Sequence, residues 1–269
     1  MKTEDAKELI DQQIQSLSEA LDSGKSDQLE SFLSTMARFH KYSFGNMLLI
    51  MAQSPDATNV AGFHTWKSLG RFVKAGEKGI AILAPMVFKT DSRDVQPQPE
   101  PAKTDDEDRT VRFRVVYVFD VTQTDGEPLP EFAKAVGDPG DYAERLRNLV
   151  RQLSIELEYS EQLGGAFGVS KGGVIVIQQG LDPAQEFTTL VHELAHEILH
   201  HGENREGTTK TSRELQAEAV AFVVAQAIGL DTGTASSDYI QLYRGDKDLL
   251  CQSLDAVRKA SHIILDGIA

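Results

Sequence analysis

Residues 192–196 read His-Glu-Leu-Ala-His, within Pro183-Ala-Gln-Glu-Phe-Thr-Thr-Leu-Val-His-Glu-Leu-Ala-His-Glu-Ile-Leu199. The apolar residues Phe187, Leu190, Val191, Leu194, Ala195, Ile198 and Leu199 recur at helical spacing and cover most of the segment, so it reads as a largely buried helix. Asp182 and Pro183 suit its N-cap and first turn. His192 and His196 lie four apart, hence one turn apart on one face. Two imidazoles so placed can hold one Zn²⁺, and Glu193 beside the first can activate a water at that metal. A buried helix does not carry two histidines and a glutamate without partners, because unpaired buried polar groups cost several kcal/mol.

A metal centre of this kind needs a third protein ligand. The pattern His-Glu-x-x-His-x-x-Gly-x-x-His is excluded, because Leu199 stands at the Gly position and Gly202 at the last His. Residues 213–229 run Arg-Glu-Leu-Gln-Ala-Glu-Ala-Val-Ala-Phe-Val-Val-Ala-Gln-Ala-Ile-Gly, an apolar helix ended by Gly229. Glu214 and Glu218 share one face of it, and the short polar connection with Gly202 and Gly207 lets the two helices pack antiparallel. The pair resembles the glutamate-ligand zincins (gluzincins), whose second helix carries Glu-x-x-x-(Asp, Asn or Glu). The resemblance implies Glu214 as the third ligand, with Glu218 accepting from a ligand histidine and fixing its tautomer. The residues alone also admit the reverse, with Glu218 as ligand. His200 lies one further turn along the same face, where it could reach substrate or the metal's surroundings. His201 reads as a charge placed favourably at a helix C-terminus.

The chain has 269 residues, 41% of them hydrophobic, enough for one large domain or two small ones. Its one cysteine, Cys251, excludes an internal disulfide and a cysteine metal cluster. Residues 1–30 are polar with acids throughout, and no apolar run approaches the roughly 18 residues of a membrane span. A soluble, cytoplasmic protein without membrane contact is expected. The net charge of −14 argues against nucleic acid, but its distribution does not. Residues 31–90 hold seven Lys and Arg against two acids, a net +5 that leaves −19 on the remainder. A basic segment in an acidic chain is a candidate polyanion site.

The periodicities predict helices over 3–22 and 27–53, the second broken near Tyr42-Ser43-Phe44-Gly45, and a short helix over 63–70. Strands over 80–85 and 111–122 form a hairpin around a charged, Pro-containing and disordered loop, 89–110. A linker from Gly126 to about Gly140 precedes a helix over 140–154 and a strand, Val174–Gln178. That strand suits an edge that could accept an extended peptide by β-augmentation, and it also suits an internal core position. Further helices are expected near 236–243 and 246–266. The fold class is α+β: an N-terminal helical domain with a β-hairpin, and a C-terminal zincin-like domain with a small sheet and the His-Glu-x-x-His helix. The boundary divides 1–130 from 131–269.

Three segments of the first half carry a second resemblance. Tyr42-Ser43-Phe44-Gly45-Asn46-Met47-Leu48-Leu49, Gly62-Phe63-His64-Thr65-Trp66-Lys67 and Lys74-Ala75-Gly76-Glu77-Lys78-Gly79 resemble, in that order, the N-terminal domain of the ArdC antirestriction family. Val118-Phe119-Asp120-Val121-Thr122-Gln123 fits the same pattern. The resemblance implies a domain over 1–130 that binds single-stranded DNA, joined to a metalloprotease-like domain. The metal half is similar both to ArdC proteins and to the ImmA/IrrE-like peptidases, which clear or cleave repressors. The residues agree with this, since aromatics interleave with bases, and single strands are held by stacking and backbone neutralisation. Arg38, Lys41, Tyr42, Ser43, Asn46, Trp66, Lys67, Lys74 and Lys78 are the candidate DNA contacts. Trp66 suits stacking and core equally, whereas Phe39 and Phe72 read as core.

Two functions follow. The first is a zinc metalloprotease coupled to single-stranded DNA, with His192, His196 and Glu214 on Zn²⁺ (or Mn²⁺), Glu193 as general base, and a protein substrate such as a transcriptional repressor. Tyr239, Tyr243 and His200 are its candidate oxyanion stabilisers. The second is a non-proteolytic, single-stranded-DNA-binding antirestriction protein with a structural or vestigial metal.

Overall fold

A computed structural model describes residues 1–23, 27–86, 112–126, 137–201, 208–231 and 247–269. The expected loop 89–110, the helix near 236–243 and the domain boundary near 130 lie outside these residues. The fold mixes helices with three small sheets, as the α+β reading expects.

Three helices open the chain: α1 (Thr3–Asp22), α2 (Asp27–Phe39) and α3 (Phe44–Gln53). The expected break in the second helix occurs because Ser43 adopts extended backbone and caps α3, its hydroxyl accepting from the Asn46 N–H. Then come β1 (Val60–Gly62), α4 (Phe63–Ser68), β2 (Arg71–Val73), β3 (Ile80–Pro85), β4 (Phe113–Asp120) and β5 (Thr124–Gly126). Strands β3 and β4 form the expected antiparallel hairpin, β1 extends it in the order β1-β4-β3, and β2 pairs with β5.

Strand β3 would be an open edge, but α3 closes it with side chains. Asn46 donates to the Leu83 carbonyl at 2.9 Å and accepts from its N–H at 2.8 Å. Gln53, two turns along the same face of α3, does the same for Ala81, at 2.9 and 3.0 Å. Two amides seven residues apart therefore stand in for a neighbouring strand and satisfy the backbone groups an edge leaves exposed. Asp120 plays a comparable part at the other end of the hairpin. Its carboxylate, 3% exposed, accepts from the N–H groups of Thr58, Asn59 and Thr122 and from the Thr122 hydroxyl.

The second half contains α5 (Asp141–Gln152), β6 (Glu156–Ser160), β7 (Gly168–Ser170), β8 (Val174–Gln178), α6 (Pro183–Leu199), α7 (Lys210–Ala227) and α8 (Lys247–Ile268). Strand β8 lies between β6, which it pairs in parallel, and β7, which it pairs antiparallel. This corrects the edge reading of Val174–Gln178: Ile175, Val176 and Ile177 are buried, and among the described residues the sheet edge beside α6 belongs to β7. The strand β7 is three residues long and contains a glycine, too short and plain to signal itself by periodicity.

Helix α6 packs on α7, α7 on α8, and α2 on α7. One hydrophobic cluster joins Phe32, Leu33 and Met36 of α2, Met47 of α3, Ile82 of β3, Ile177 of β8, Leu190 and Leu194 of α6, Val220 and Val223 of α7, and Leu254 and Val257 of α8. The apolar core thus runs without a break from the first half of the chain into the second. No helix among the described residues is long and apolar enough to cross a membrane.

Burial pushes the Asp120 carboxyl up, but its four hydrogen bonds outweigh this and hold it below its ordinary 3.8. A depressed carboxyl pKa contributes stability that is present above the unfolded value and is lost as pH falls through the folded one. Asp120→Asn is therefore expected to cost about 2 kcal/mol at neutral pH, with the deficit closing below pH 4. Denaturant unfolding of both proteins across that range checks it; a deficit as large at pH 3 as at pH 7 would refute the charged role.

Candidate metal centre

The geometry of the site begins with what α6 buries. Phe187, Leu190, Val191, Leu194 and Ala195 are at most 2% exposed and anchor one side of the helix in the core. Asp182 caps its start, accepting from the Gln185 N–H at 3.0 Å, and Pro183 supplies the first turn. The opposite side then presents His192 and His196 toward α7, with their Nε2 atoms 3.1 Å apart. Glu214 enters from the first turns of α7, and its Oε2 lies 3.5 Å from each Nε2. Among the described residues this is the His/Cys/Asp/Glu group whose ligand atoms all fall within 4.8 Å of one another.

The donor set fits a small divalent cation. Three vertices of a tetrahedron with metal–ligand bonds of about 2.0–2.1 Å stand about 3.3–3.4 Å apart, and the three atoms here are separated by 3.1, 3.5 and 3.5 Å. Burial lowers the pKa of His192, despite the opposing charge of Glu214. Burial and the neighbouring His192 lower that of His196. Both rings are therefore held neutral, the form that ligates. Glu218, one turn beyond Glu214, is exposed on α7. Tyr239 and Tyr243 lie outside the described residues.

Glu193 points from α6 toward β7 and is 8% exposed. Burial, then the charges of Glu214 and Glu197, push its carboxyl up to about 7, against a hydrogen bond from the Ser170 backbone. At that value the carboxyl can take up or release a proton near neutrality. Its fit against the strand depends on Gly168. A Cβ there would stand 2.7 Å from both Glu193 Cγ and Thr189 Cγ2, and 2.9 Å from Glu193 Oε1.

Glu197, one turn past Glu193, clamps the β7–β8 turn. It accepts from the Ser170 hydroxyl at 2.6 Å and from the N–H groups of Gly172 and Gly173 at 3.0 and 2.8 Å, and it faces His201 at 3.2 Å. Burial pushes its carboxyl up, but these donors hold it below the usual range. The turn needs its glycines, whose φ angles are +82° and +85°. Sequence reasoning passed over Gly168, Ser170, Glu197 and Gln216. Only the i, i+4 spacing of Glu197 from Glu193 hinted at a second carboxylate aimed at the same strand.

The candidate DNA contacts scatter. Trp66 is 2% exposed and donates from Nε1 to the Phe119 carbonyl at 2.8 Å, so it belongs to the core and not to a stacking surface. Asn46 is spent on the β3 edge, Ser43 on the α3 cap, and the Tyr42 hydroxyl on the Val60 carbonyl at 2.8 Å. Arg38 ties α2 to the loop between α3 and β1 through the carbonyls of Ala57 and Pro55. Lys74 donates to the Thr122 carbonyl and faces Asp125 at 3.7 Å. The polar residues Tyr42, Ser43 and Asn46 in the apolar run satisfy backbone groups that the fold leaves open, in place of the expected ligand contacts. Lys41, Lys67 and Lys78 remain exposed. Phe72, expected in the core, is 59% exposed, because among the described residues β2 pairs only with the short β5; Phe63 is 50% exposed and Tyr117 49%.

Comparison with known proteins finds a separate match in each half of the chain. Residues 4–119 match the N-terminal domain of anti-restriction factor ArdC, and residues 143–248 match the IrrE N-terminal-like domain of the Peptidase M78 family. An uncharacterized protein of Bacillus anthracis is 27% identical over 273 residues; the match covers 88% of this chain, which spans 46% of that protein's length. The metal-free crystal structure of antirestriction ArdC protein from the R388 plasmid shares the fold, with a TM-score of 0.52 and 18% identity over 84% of this chain and 85% of that one. Its Mn(II)-bound crystal structure aligns at a TM-score of 0.48, with 16% identity over 88% of this chain and 98% of that one.

Two measurements probe the site. His192→Ala, His196→Ala and Glu214→Ala are each expected to weaken zinc binding by more than the roughly 10–100-fold that loss of an outer partner costs, whereas Glu218→Ala retains it. Equal loss in Glu218→Ala, read by chelator competition, would reassign the third ligand. Gly168→Ala is expected to lower stability by about 1–3 kcal/mol through overpacking against Glu193 while metal binding persists. A variant as stable as the parent would mean that Glu193 has room to spare.

Proposed function

We propose that this chain, which pairs an ArdC-type N-terminal domain over 1–130 with an IrrE-like peptidase domain over 131–269, is a zinc-dependent endopeptidase coupled to single-stranded DNA. The observation that carries the catalytic half is the convergence of His192 Nε2, His196 Nε2 and Glu214 Oε2 beside the buried carboxyl of Glu193. A divalent cation held by those three atoms supplies Lewis acidity to the scissile carbonyl and to the attacking water. Glu193 takes the proton that water gives up as its oxygen attacks the carbonyl carbon, and returns it to the leaving amine nitrogen as the C–N bond breaks. Gly168 and Ser170 bring the β7 edge against Glu193, and Glu197 fixes that edge through the turn behind it. In the β7–β8 ladder, Phe167 and Lys171 bond toward β8, so by alternation the backbone groups of Gly168 face away from it. An extended peptide laid along that edge would present a carbonyl to the cluster.

For the DNA-binding half, the support is an ArdC-type domain that exposes Phe63, Phe72 and Tyr117 together with Lys41, Lys67 and Lys78. Exposed aromatic rings and unburied cations are what a single strand uses for stacking and phosphate neutralisation. A transcriptional repressor is the proposed class of protein substrate, by likeness to the IrrE-like domain.

Digestion of casein and of candidate repressors, with and without single-stranded DNA, tests both halves on the full chain. Zinc-loaded protein is expected to cleave, and Glu193→Gln to bind zinc but lose about 10²–10⁴ in rate. Undiminished cleavage by Glu193→Gln refutes the mechanism, and full antirestriction by that variant favours the non-proteolytic reading. Phe72→Ala is expected to weaken single-strand binding by about 1–3 kcal/mol without loss of fold, because its ring is more than half exposed.

A further inference from the structure

Beyond the three converging atoms, His196 makes a second contact that the catalytic reading does not use. Its Nδ1 lies 3.0 Å from Nδ1 of His200, the residue that caps the end of α6. His200 Nε2 lies 2.8 Å from Oε1 of Gln216 on α7, and Gln216 Nε2 lies 3.1 Å from Oγ of Ser253 on α8. His200, Gln216 and Ser253 are 5%, 7% and 3% exposed, so water does not compete for these atoms.

The chain of bonds has a direction. An amide oxygen only accepts and an amide nitrogen only donates. With Gln216 Nε2 donating to Ser253, its Oε1 faces His200 and must receive a proton, which places the hydrogen of neutral His200 on Nε2. His200 Nδ1 is then bare and can only accept. The 3.0 Å contact between the two Nδ1 atoms therefore requires the hydrogen of His196 on Nδ1, leaving His196 Nε2 bare. That is the atom turned toward His192 Nε2 and Glu214 Oε2. Reversed, the same chain would put a hydrogen on His196 Nε2, in the middle of the cluster, where it would block a metal.

We propose that His200 is a positioning residue: directed by Gln216 and Ser253, it holds His196 in the tautomer and ring orientation that ligates metal. The proposal rests on His192, His196 and Glu214 being the metal ligands. It makes α8 part of the metal centre, although no residue of α8 belongs to the cluster, and it gives His200 a task distinct from contact with substrate.

Two readouts test it on the full chain. The first is long-range ¹H–¹⁵N correlation of the imidazoles in metal-free protein near neutral pH. Wild type is expected to show His196 as the Nδ1–H tautomer and His200 as the Nε2–H tautomer, and the reverse pattern would overturn the proposal without any variant. The second is zinc affinity by competition with a chromophoric chelator. His200→Leu is expected to weaken zinc binding roughly 10–100-fold and to give His196 a mixture of tautomers. His200→Asn, whose side-chain oxygen takes the place of Nδ1 as acceptor, is expected to restore most of the affinity. Tight zinc binding by wild type with no loss in a folded His200→Leu variant would overturn the proposal. If wild type binds no zinc while the tautomers are as expected, the metal reading fails and the ordering of His196 by His200 stands.

Discussion

The rest of the structure depends on the packing of α6 against α7 through a shared apolar core. Leu190, Leu194 and Ala195 of α6 and Ala217, Val220 and Val224 of α7 are essentially without solvent contact. Their packing sets the rotation and register of each helix, because close-packed interiors leave no freedom to slide without opening voids. Once the register is set, Glu214 must face His192 and His196, and a helical turn's displacement would separate them by more than 5 Å. The site is therefore the polar side of an apolar interface. Its geometry is maintained by the residues that point the other way.

Polar side chains bonded to the backbone do a second kind of work in this molecule. Asn46 and Gln53 replace a missing strand, Asp120 gathers three N–H groups of two loops, and Glu197 gathers the β7–β8 turn. Each meets backbone groups that a short strand or tight turn leaves unsatisfied, and that burial would otherwise make costly. Small sheets have many such groups relative to their size, which explains why several polar side chains are turned onto the backbone. The same economy supplies the site: Glu197 orders the strand against which Glu193 rests, and Gln216 orients the ring that touches His196.

The unbroken core between the two halves bears on how they could communicate. Helix α2 packs on α7, which carries Glu214 and Gln216, and α8 contacts both α1 and α7. Packed side chains fill the space between the N-terminal half and the cluster of His192, His196 and Glu214. Coupling between DNA and proteolysis, as proposed, would then act through helix packing, where small shifts are transmitted because the interior is dense.

Much of this was legible in sequence. Helical periodicity located α1, α5, α6, α7 and α8 closely, and the β3–β4 hairpin followed from alternation. Four-residue spacing by itself determined that His192 and His196 share a face, since that is a property of one helix. Whether Glu214 or Glu218 meets them is a relation between two helices, and only their packed register decided it. The strand beside α6 was likewise a tertiary matter: β7 is three residues with a glycine, and its edge position comes from β8 being paired on both sides. Lys, Asn and aromatic residues in the first half identified a composition without saying which of them are consumed internally. The structure put Trp66 and Asn46 inside and Phe72 outside, because burial is allotted by which backbone groups and apolar faces come together in space. Local spacing determines what one element presents; what that face meets is determined by long-range packing alone.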